Sequence, residues 1–145
     1  MIERLDPPAA AEREAIAALA RRNGLPTDGL NDSPIVAVVA RWNGTIIGSA
    51  ALELYGDAAL LRSVAVDASA RGQGWGQRLT QAALDLARDC GVRRVFLLTE
   101  TADAFFPRFG FRRIARGDVD PAVHASVEWT SACPASARAM MIDLA

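Results

Sequence analysis

Two short apolar stretches of the chain flank a segment with helical periodicity. Residues Leu60 to Val66 form the first apolar stretch, and residues Arg94 to Thr99 form the second. Runs of this length rich in aliphatic residues predict buried strands. The segment between them repeats apolar residues at the three-and-four spacing of one helix face, at Leu79, Ala83, Leu86 and Cys90. A strand, a helix and a second strand in this order predict a pair of parallel strands.

Upstream of this unit, the pattern is that of successive hairpins. Ile35 to Arg41 and Ile46 to Tyr55 are strand-like, and Asn43-Gly44 between them is the residue pair that a tight two-residue turn prefers. Gly56-Asp57 then turns the chain into the stretch that begins near Leu60. We therefore expect three antiparallel strands that lead into the parallel pair.

The two ends of the chain add shorter elements. The first predicted element of the chain is an edge strand. The helix that follows it is expected to bury Ile16, Leu19 and Ala20 and to stop at Asn23-Gly24. The predicted elements outside the central unit are a strand over Met1 to Leu5, a helix over Ala9 to Arg22, a loop or short helix over Leu25 to Pro34, a strand over Phe111 to Ala115, a helix from Asp120-Pro121 to about Trp129, and a strand over Ala137 to Leu144.

A glycine-rich loop joins the central strand to the central helix. It reads Arg71-Gly72-Gln73-Gly74-Trp75-Gly76, followed by Gln77. The first turn of a helix has unpaired N–H groups and the positive end of the helix dipole, so it can hold a phosphate. The loop is not a Walker loop, because no Gly-Lys-Ser/Thr ends it and the chain has no lysine. It also lacks the Gly-x-Gly-x-x-Gly spacing of dinucleotide-binding folds.

Composition narrows the function classes. A chain of 145 residues with a net charge of -1 is expected to form one domain, 1–145, and has no basic cluster for a nucleic-acid partner. No apolar run is long enough to span a membrane, and Met1-Ile2-Glu3-Arg4 does not open a signal peptide. Cys90 and Cys133 are expected to be reduced thiols, and two thiols on separate elements make a poor metal site. We therefore expect a cytoplasmic protein with no metal, no membrane partner and no nucleic-acid partner.

The central unit resembles the GNAT acetyltransferase superfamily. The resemblance rests on Val64-Ala65-Val66 followed by Arg71-x-x-Gly74-x-Gly76 and covers essentially residues 35 to 115. It implies an α/β (α+β) fold with a mixed central sheet of six to seven strands, about four flanking helices and a splayed parallel pair at the centre. It also implies acetyl-CoA as co-substrate, with its pyrophosphate on the loop amides. The residues implied to bind it are Val64, Ala65, Val66, Arg71, Gly72, Gln73, Gly74, Trp75, Gly76 and Gln77.

A second region carries the same resemblance, with two departures. Superfamily members commonly have a helix reading Asn-x-x-Ala-x-x-Leu-Tyr-x-x-x-Gly-Phe, and Thr99, Ala102, Phe105, Phe106, Gly110 and Phe111 fall on those positions in order. Thr99 stands where an asparagine often bonds the cofactor, and Phe105 and Phe106 are expected to contact it. Phe106 stands where a tyrosine often protonates the departing thiolate, and it has no hydroxyl. Phe109 and Phe111 are expected to be core residues.

Three less specific segments resemble those of a subgroup associated with bacterial arsenic-resistance operons. They are Leu60-Leu61-Arg62-Ser63, the Thr-Ala-x-x-Phe-Phe run that ends at Phe106, and a helix inserted before the last strand that exits through Ser131-Ala132-Cys133-Pro134. This resemblance implies an acceptor that is an amino acid or an arsenical or phosphinic analogue of one.

Acetyl transfer requires a neutral amine, a donor for the developing oxyanion and a proton for the departing sulfur. The oxyanion donor is expected to be a backbone N–H near Val64 to Val66. An α-amine of pKa about 8 is roughly a tenth neutral at pH 7, so deprotonation costs about 1.4 kcal/mol. A lysine-type amine near 10.4 would cost about 4.6 kcal/mol, which favours the α-amine. Glu100, at the carboxyl end of the second apolar strand, is a candidate base, with Glu53 and Tyr55 on the preceding strand behind it.

The expected acceptor site lies around Arg62. A guanidinium inside a central strand must meet a carboxylate, either that of Glu53 on the neighbouring strand or that of a substrate. We favour the substrate, with Ser63 and Tyr55 as further substrate-binding residues. His124, the single histidine, is expected to be a partly exposed helix residue.

Two function classes follow from these observations. The first is an acetyl-CoA-dependent N-acetyltransferase, monomeric or homodimeric, that acts on a small amine. The alternative is a non-catalytic acyl-CoA-binding sensor or assembly domain, for which the missing tyrosine at Phe106 is the main argument.

Overall fold

The structure is a computed structural model that describes residues 2–30, 34–126 and 137–144. Its strands are β1 (Ile2–Leu5), β2 (Ile35–Trp42), β3 (Thr45–Tyr55), β4 (Ala58–Val66), β5 (Arg94–Thr99), β6 (Arg112–Ile114) and β7 (Arg138–Asp143). The α-helices in the described ranges are α1 (Ala10–Arg22) and α2 (Trp75–Asp89), and short 3₁₀ turns occupy Ala68–Ala70, Phe106–Phe109, Arg116–Asp118 and Pro121–Ala125.

The seven strands form one mixed sheet in the order β1-β2-β3-β4-β5-β7-β6. The first four strands are antiparallel neighbours, as the hairpin pattern predicts, and β4 and β5 are parallel. Asn43 and Gly44 have φ angles of 50° and 78°, which is the left-handed backbone of the predicted tight turn. The mixed sheet with a central parallel pair is therefore confirmed.

The parallel pair separates after three residue pairs. Pairing runs from Ala58 with Arg94 to Leu60 with Phe96 and then ends, although β4 continues to Val66 and β5 to Thr99. The expected splay is confirmed, and it leaves a wedge between the carboxyl halves of the two strands.

The two α-helices cover opposite faces of the sheet. Ile16 and Leu19 of α1 belong to one buried cluster, whereas Leu79 of α2 belongs to another. The packing of α2 is close at Gly48 of β3, where a Cβ atom would lie 2.6 Å from Leu79 Cδ1. A side chain at position 48 would therefore displace the Leu79 side chain in the core between α2 and the sheet.

Two helical expectations are wrong in the described residues. The family's helix after Thr99 is reduced to turns and a 3₁₀ turn, Phe106–Phe109, because Pro107 and the left-handed Gly110 (φ 105°) leave room for only one turn. The helix after Asp120 is also a 3₁₀ turn, capped by the Asp120 carboxylate as expected, and it ends at Ala125. Its predicted continuation to Trp129 and the exit through Cys133 lie outside the described residues.

Candidate active site

A cavity of about 300 Å³ opens where β4 and β5 part. Its lining comes from residues 61–64 of β4, residues 97–102 at and after the end of β5, residues 23–26 after α1, and Phe106 and Ala137. The predicted site residues that the structure brings together here are Arg62, Ser63, Val64, Thr99, Glu100 and Phe106. Those that lie outside this lining are Tyr55, Ala65, Val66, Phe105 and residues 71–77.

The glycine-rich loop ends at the amino terminus of α2. Gly74 is the residue that caps the helix, with φ 80°, and Gly72 has φ 79°. A Cβ on either would meet no atom within 4 Å, so the backbone faces open space. The first turn of α2 contains no acidic residue, and no side chain caps it. The N–H groups and the positive dipole end are therefore available to an anion, which fits a phosphate of acetyl-CoA.

Two arginines border this loop. Arg71 Nη2 donates a 2.6 Å hydrogen bond to Asn23 Oδ1, and its Nε lies 3.4 Å from the Val66 carbonyl. Arg78 lies over the ring of Trp75 at 3.9 Å from the centroid. Both arginines add positive charge next to the helix terminus, which favours an anionic ligand.

A row of phenylalanines lies beside the start of α2. A Cβ on Gly76 would lie 3.7 Å from Phe105 Cζ. Phe105 packs edge-on against Phe106 at 5.1 Å, and Phe106 against Phe111 at 5.6 Å. Phe106 is buried and carries no hydroxyl into the cavity that it lines, and Phe111 is a core residue as expected. Phe109 packs partly buried against the same core.

A β-bulge shapes the β4 wall of the cavity. Ser49 pairs with Ala65 and Ala51 with Arg62, so Ser63 and Val64 together oppose one residue of β3. Ser63 has φ 55°, and its carbonyl accepts a 2.7 Å hydrogen bond from Ser49 Oγ. Because β4 no longer pairs with β5 here, the main chain at the bulge borders the wedge. This is the irregular strand end at which the oxyanion donor is expected.

Arg62 has its partner inside the protein. Its Nη1 lies 2.8 Å from Glu53 Oε2, and both side chains are completely excluded from solvent. Tyr55 donates its phenolic hydrogen to the other oxygen of Glu53. Burial, together with this hydrogen bond and the Glu53 charge, raises the pKa of Tyr55 to about 12. The preference for a substrate carboxylate as the partner of Arg62 is thus corrected, because Glu53 already neutralises the guanidinium.

Glu100 and Thr99 lie at the end of β5. Glu100 is exposed at the cavity, and its main-chain carbonyl accepts a 2.8 Å hydrogen bond from Arg138 Nη1. Thr99 Oγ1 accepts a 2.9 Å hydrogen bond from the Ala102 N–H, so the hydroxyl stabilises the turn that follows β5. The threonine still retains its own hydrogen as a donor.

Sequence reasoning missed one contributor to the site, Ser49. Ser49 is completely buried on β3, and a lone serine in a strand gave no signal of its hydrogen bond to the bulge. Residues 23–26, which follow α1, form a wall of the cavity. Only the register of the strands and the fold of the loop bring these groups to the wedge.

Other candidate groups lie elsewhere. Cys90 is partly buried at the end of α2, and burial raises the pKa of its thiol. His124 lies partly buried in the 3₁₀ turn Pro121–Ala125. Within the ranges that the structure describes, no group of three or more His, Cys, Asp or Glu side chains is arranged to hold a metal ion. Among those same residues, no helix has the length and apolar character needed to cross a membrane.

Comparison with known proteins agrees with this geometry. Residues 3–111 match the model of the Acetyltransferase (GNAT) family. The chain is 40% identical over 72 residues to the amino-acid acetyltransferase of Mycobacterium tuberculosis (strain ATCC 25618 / H37Rv), which covers 49% of this chain and 41% of that relative. The chain thus spans less than half of the length of this relative.

Two solved structures share the fold. Rv2747 from Mycobacterium tuberculosis, in complex with CoA and NLQ, has a TM-score of 0.78 and 23% identity, with 100% of this chain and 99% of that chain covered. N-acetylglutamate synthase from Neisseria gonorrhoeae, complexed with coenzyme A and N-acetyl-glutamate, has a TM-score of 0.75 and 19% identity, with 100% of this chain and 35% of that chain covered. The family model, the splayed strands and the glycine loop together show that this chain belongs to the acetyltransferase (GNAT) family.

Proposed function

We propose that this protein transfers the acetyl group of acetyl-CoA to the amine of a small amino compound, with an α-amino acid as acceptor. The observation that carries the proposal is the cavity at the splay of β4 and β5, whose lining residue Asn23 is hydrogen-bonded to Arg71 of a glycine loop that suits the CoA phosphates. Its volume of about 300 Å³ is at the small end of ligand pockets and suits a small acceptor.

The polar lining of the cavity supports an amine as acceptor. Among the described residues of its lining, Arg62 and Glu100 have ionisable side chains, and the charge of Arg62 is neutralised by Glu53. The carboxylate of Glu100 favours a cationic ammonium group at the cavity. We assign Glu100 the role of accepting the proton that this group loses.

The remaining roles follow from the chemistry of acyl transfer. The amine nitrogen attacks the thioester carbonyl, a main-chain N–H in the range Val64 to Val66 stabilises the oxyanion, and the carbon–sulfur bond then breaks. Phe106 cannot give a proton to the departing thiolate, so we propose that water does so. An α-amine needs little help in deprotonation, which suits a site whose base is exposed.

Relatives support an amino acid as the acceptor class. The relative with 40% identity is an amino-acid acetyltransferase, and one solved structure with this fold holds N-acetyl-glutamate. The subgroup resemblance adds arsinic and phosphinic amino acids to the candidates, because both retain the α-amine while replacing an acidic group.

The second candidate is an acyl-CoA-binding domain without turnover. It is favoured by Phe106, which lacks the hydroxyl of a general acid, and by the exposure of Glu100. A steady-state assay of thiol release from acetyl-CoA separates the two, with a panel of α-amino acids, their arsinic and phosphinic analogues, aminoglycosides and lysine-type amines as acceptors. The proposal predicts release that depends on an α-amino acid. Binding of acetyl-CoA without acceptor-dependent release from any compound would favour the second candidate.

A further inference from the structure

Arg62 joins the sheet to the loop that follows α1. Its Nη1 donates to the main-chain carbonyl of Asp28 at 2.6 Å, and its Nη2 donates to that of Pro26 at 3.1 Å. The same guanidinium pairs with Glu53 at 2.8 Å. One buried side chain thus holds two carbonyls of the loop and one carboxylate of β3.

The Glu53 carboxylate makes this arrangement possible. A guanidinium that is completely excluded from solvent needs a negative partner, and Glu53 is equally buried. Tyr55 donates to the second oxygen of Glu53, so the carboxylate is held from both sides. The planar fork of arginine can reach several acceptors at once, whereas an ammonium group is a compact point charge.

The loop that Arg62 holds is a wall of the cavity. Residues 23–26 line the cavity together with Arg62, and Pro26 is both a lining residue and a hydrogen-bond acceptor. The proposed site of the CoA phosphates is separate and lies at the start of α2. Among the described hydrogen bonds, the contact of Asn23 with Arg71 is the one that links residues 23–28 to the glycine-rich loop of that site. A displaced loop would therefore change the acceptor side of the cavity more than the CoA loop.

We propose that Arg62, with Glu53 as its counter-ion, is a positioning residue that holds the loop at Pro26 and Asp28 and so fixes residues 23–26 as the acceptor wall of the cavity. It sets the affinity for the acceptor through the loop and not through an ion pair with the acceptor. The kinetic part of this proposal rests on the proposed function, whereas the structural part does not.

The test combines amide hydrogen exchange with initial rates. Arg62→Lys keeps the positive charge for Glu53 but cannot hold both carbonyls. Arg62→Lys changes a residue of the core, so a second variant is needed to separate the role of Arg62 from a loss of stability. This variant combines Glu53→Gln with Arg62→Gln, which removes both charges and leaves no unpaired charge buried. The control is Arg41→Lys, since Arg41 pairs with Glu3 and Glu12 at 2.9 and 2.8 Å and does not line the cavity. The acceptors are the most active amino acid of the panel and its carboxamide.

We expect amide exchange in the peptide covering residues 23–30 to rise at least about ten-fold in both Arg62 variants, with no change in Arg41→Lys. We expect the acceptor KM to rise about ten-fold or more for the acid and the amide alike, with the acetyl-CoA KM within about three-fold. A folded variant with wild-type exchange in residues 23–30 would overturn the positioning role. A KM increase confined to the carboxylate acceptor would also overturn it, because that result identifies a direct clamp. If the wild-type protein has no turnover, the proposed function fails and the exchange data still decide the role of Arg62.

Discussion

The hydroxyl of Ser49 on β3 donates a 2.7 Å hydrogen bond to the main-chain carbonyl of Ser63 on β4. The contact lies where the two strands change register, and Ser63 has the left-handed backbone of the bulge, φ 55°. A non-glycine residue in this conformation stores strain that the surroundings must offset. Ser49 thus secures the bend that sets the main chain of Val64 against the cavity.

Ser49→Ala is expected to lower kcat by about ten-fold to 100-fold, because a displaced main-chain donor loses transition-state stabilisation. The KM values for acetyl-CoA and acceptor should change little, and Ser49→Thr, which keeps the hydroxyl, should restore most of the rate. Initial-rate kinetics check this. A Ser49→Ala enzyme with wild-type kcat would show that the bulge does not depend on this contact.

Thr80 of α2 has a buried hydroxyl that can be compared with that of Ser49. It is completely buried, and its Oγ1 has no hydrogen-bond partner among the residues that the structure describes. Thr80→Val removes an unsatisfied polar atom with little change of shape, so it should raise the free energy of unfolding by about 1 kcal/mol. Ser49→Ala should lower it by about 1–3 kcal/mol, because the buried Ser63 carbonyl loses its donor. Urea denaturation measures both.

Gly74→Ala is expected to weaken CoA binding at least about ten-fold, because a side chain at the start of α2 blocks the approach of a phosphate to the amides. Gly91→Ala is the control for backbone strain. Gly91 has φ 82° against 80° for Gly74, and a Cβ at either position meets no atom within 4 Å. Both variants should lose similar stability, and isothermal titration with CoA should distinguish them. Equal CoA affinity in the two folded variants would exclude the loop as the phosphate site.

Tyr55 is the single tyrosine of the chain, so its ionisation can be followed by tyrosinate absorbance. Burial and the Glu53 carboxylate raise its pKa to about 12, above an unfolded value of about 10. Its contribution to stability is therefore complete below about pH 10 and is lost as the pH rises through about 12. We expect the titration midpoint of the folded protein near the higher value. A midpoint near that of free tyrosine would contradict the contact with Glu53.

Glu100→Gln is expected to lower kcat/KM about ten-fold, a modest effect because an α-amine is partly neutral at pH 7. Asp103→Asn is the control, since Asp103 lies three residues away beside Arg138 and outside the cavity lining. In both enzymes, kcat/KM should rise with pH up to the pKa of the acceptor amine, about 8. A rate in Glu100→Gln equal to that of the control would remove Glu100 from the mechanism.

The central fold could be predicted because its signals are local. Asn43-Gly44 fixes one hairpin, and the helical period after Gly76 fixes the crossover that makes β4 and β5 parallel. The segment after Thr99 was different, because the family pattern suggested a helix while Pro107 and Gly110 limit it to a turn.

The partner of Arg62 shows where sequence reasoning ends. A buried arginine predicts a carboxylate, but the choice between Glu53 and a substrate depends on strand register. In the structure Arg62 pairs with Ala51, so Glu53, two residues further along β3, lies on the same face and next to it. The length of the turn at Gly56-Asp57 determines the register of β3 and β4. The contacts of Arg62 with Pro26 and Asp28 depend instead on a loop whose path no local pattern specifies.

The most direct test of the account is to measure CoA and acetylated product together, by thiol titration and mass spectrometry, with acetyl-CoA and an α-amino acid as substrates. The account predicts that the two appear in equal amounts, that the acetyl group is on the α-nitrogen, that both vanish without the acceptor, and that both form more slowly in Gly74→Ala at subsaturating acetyl-CoA. Thiol release that is independent of every amine, or tight CoA binding with no acetylated product, would contradict it.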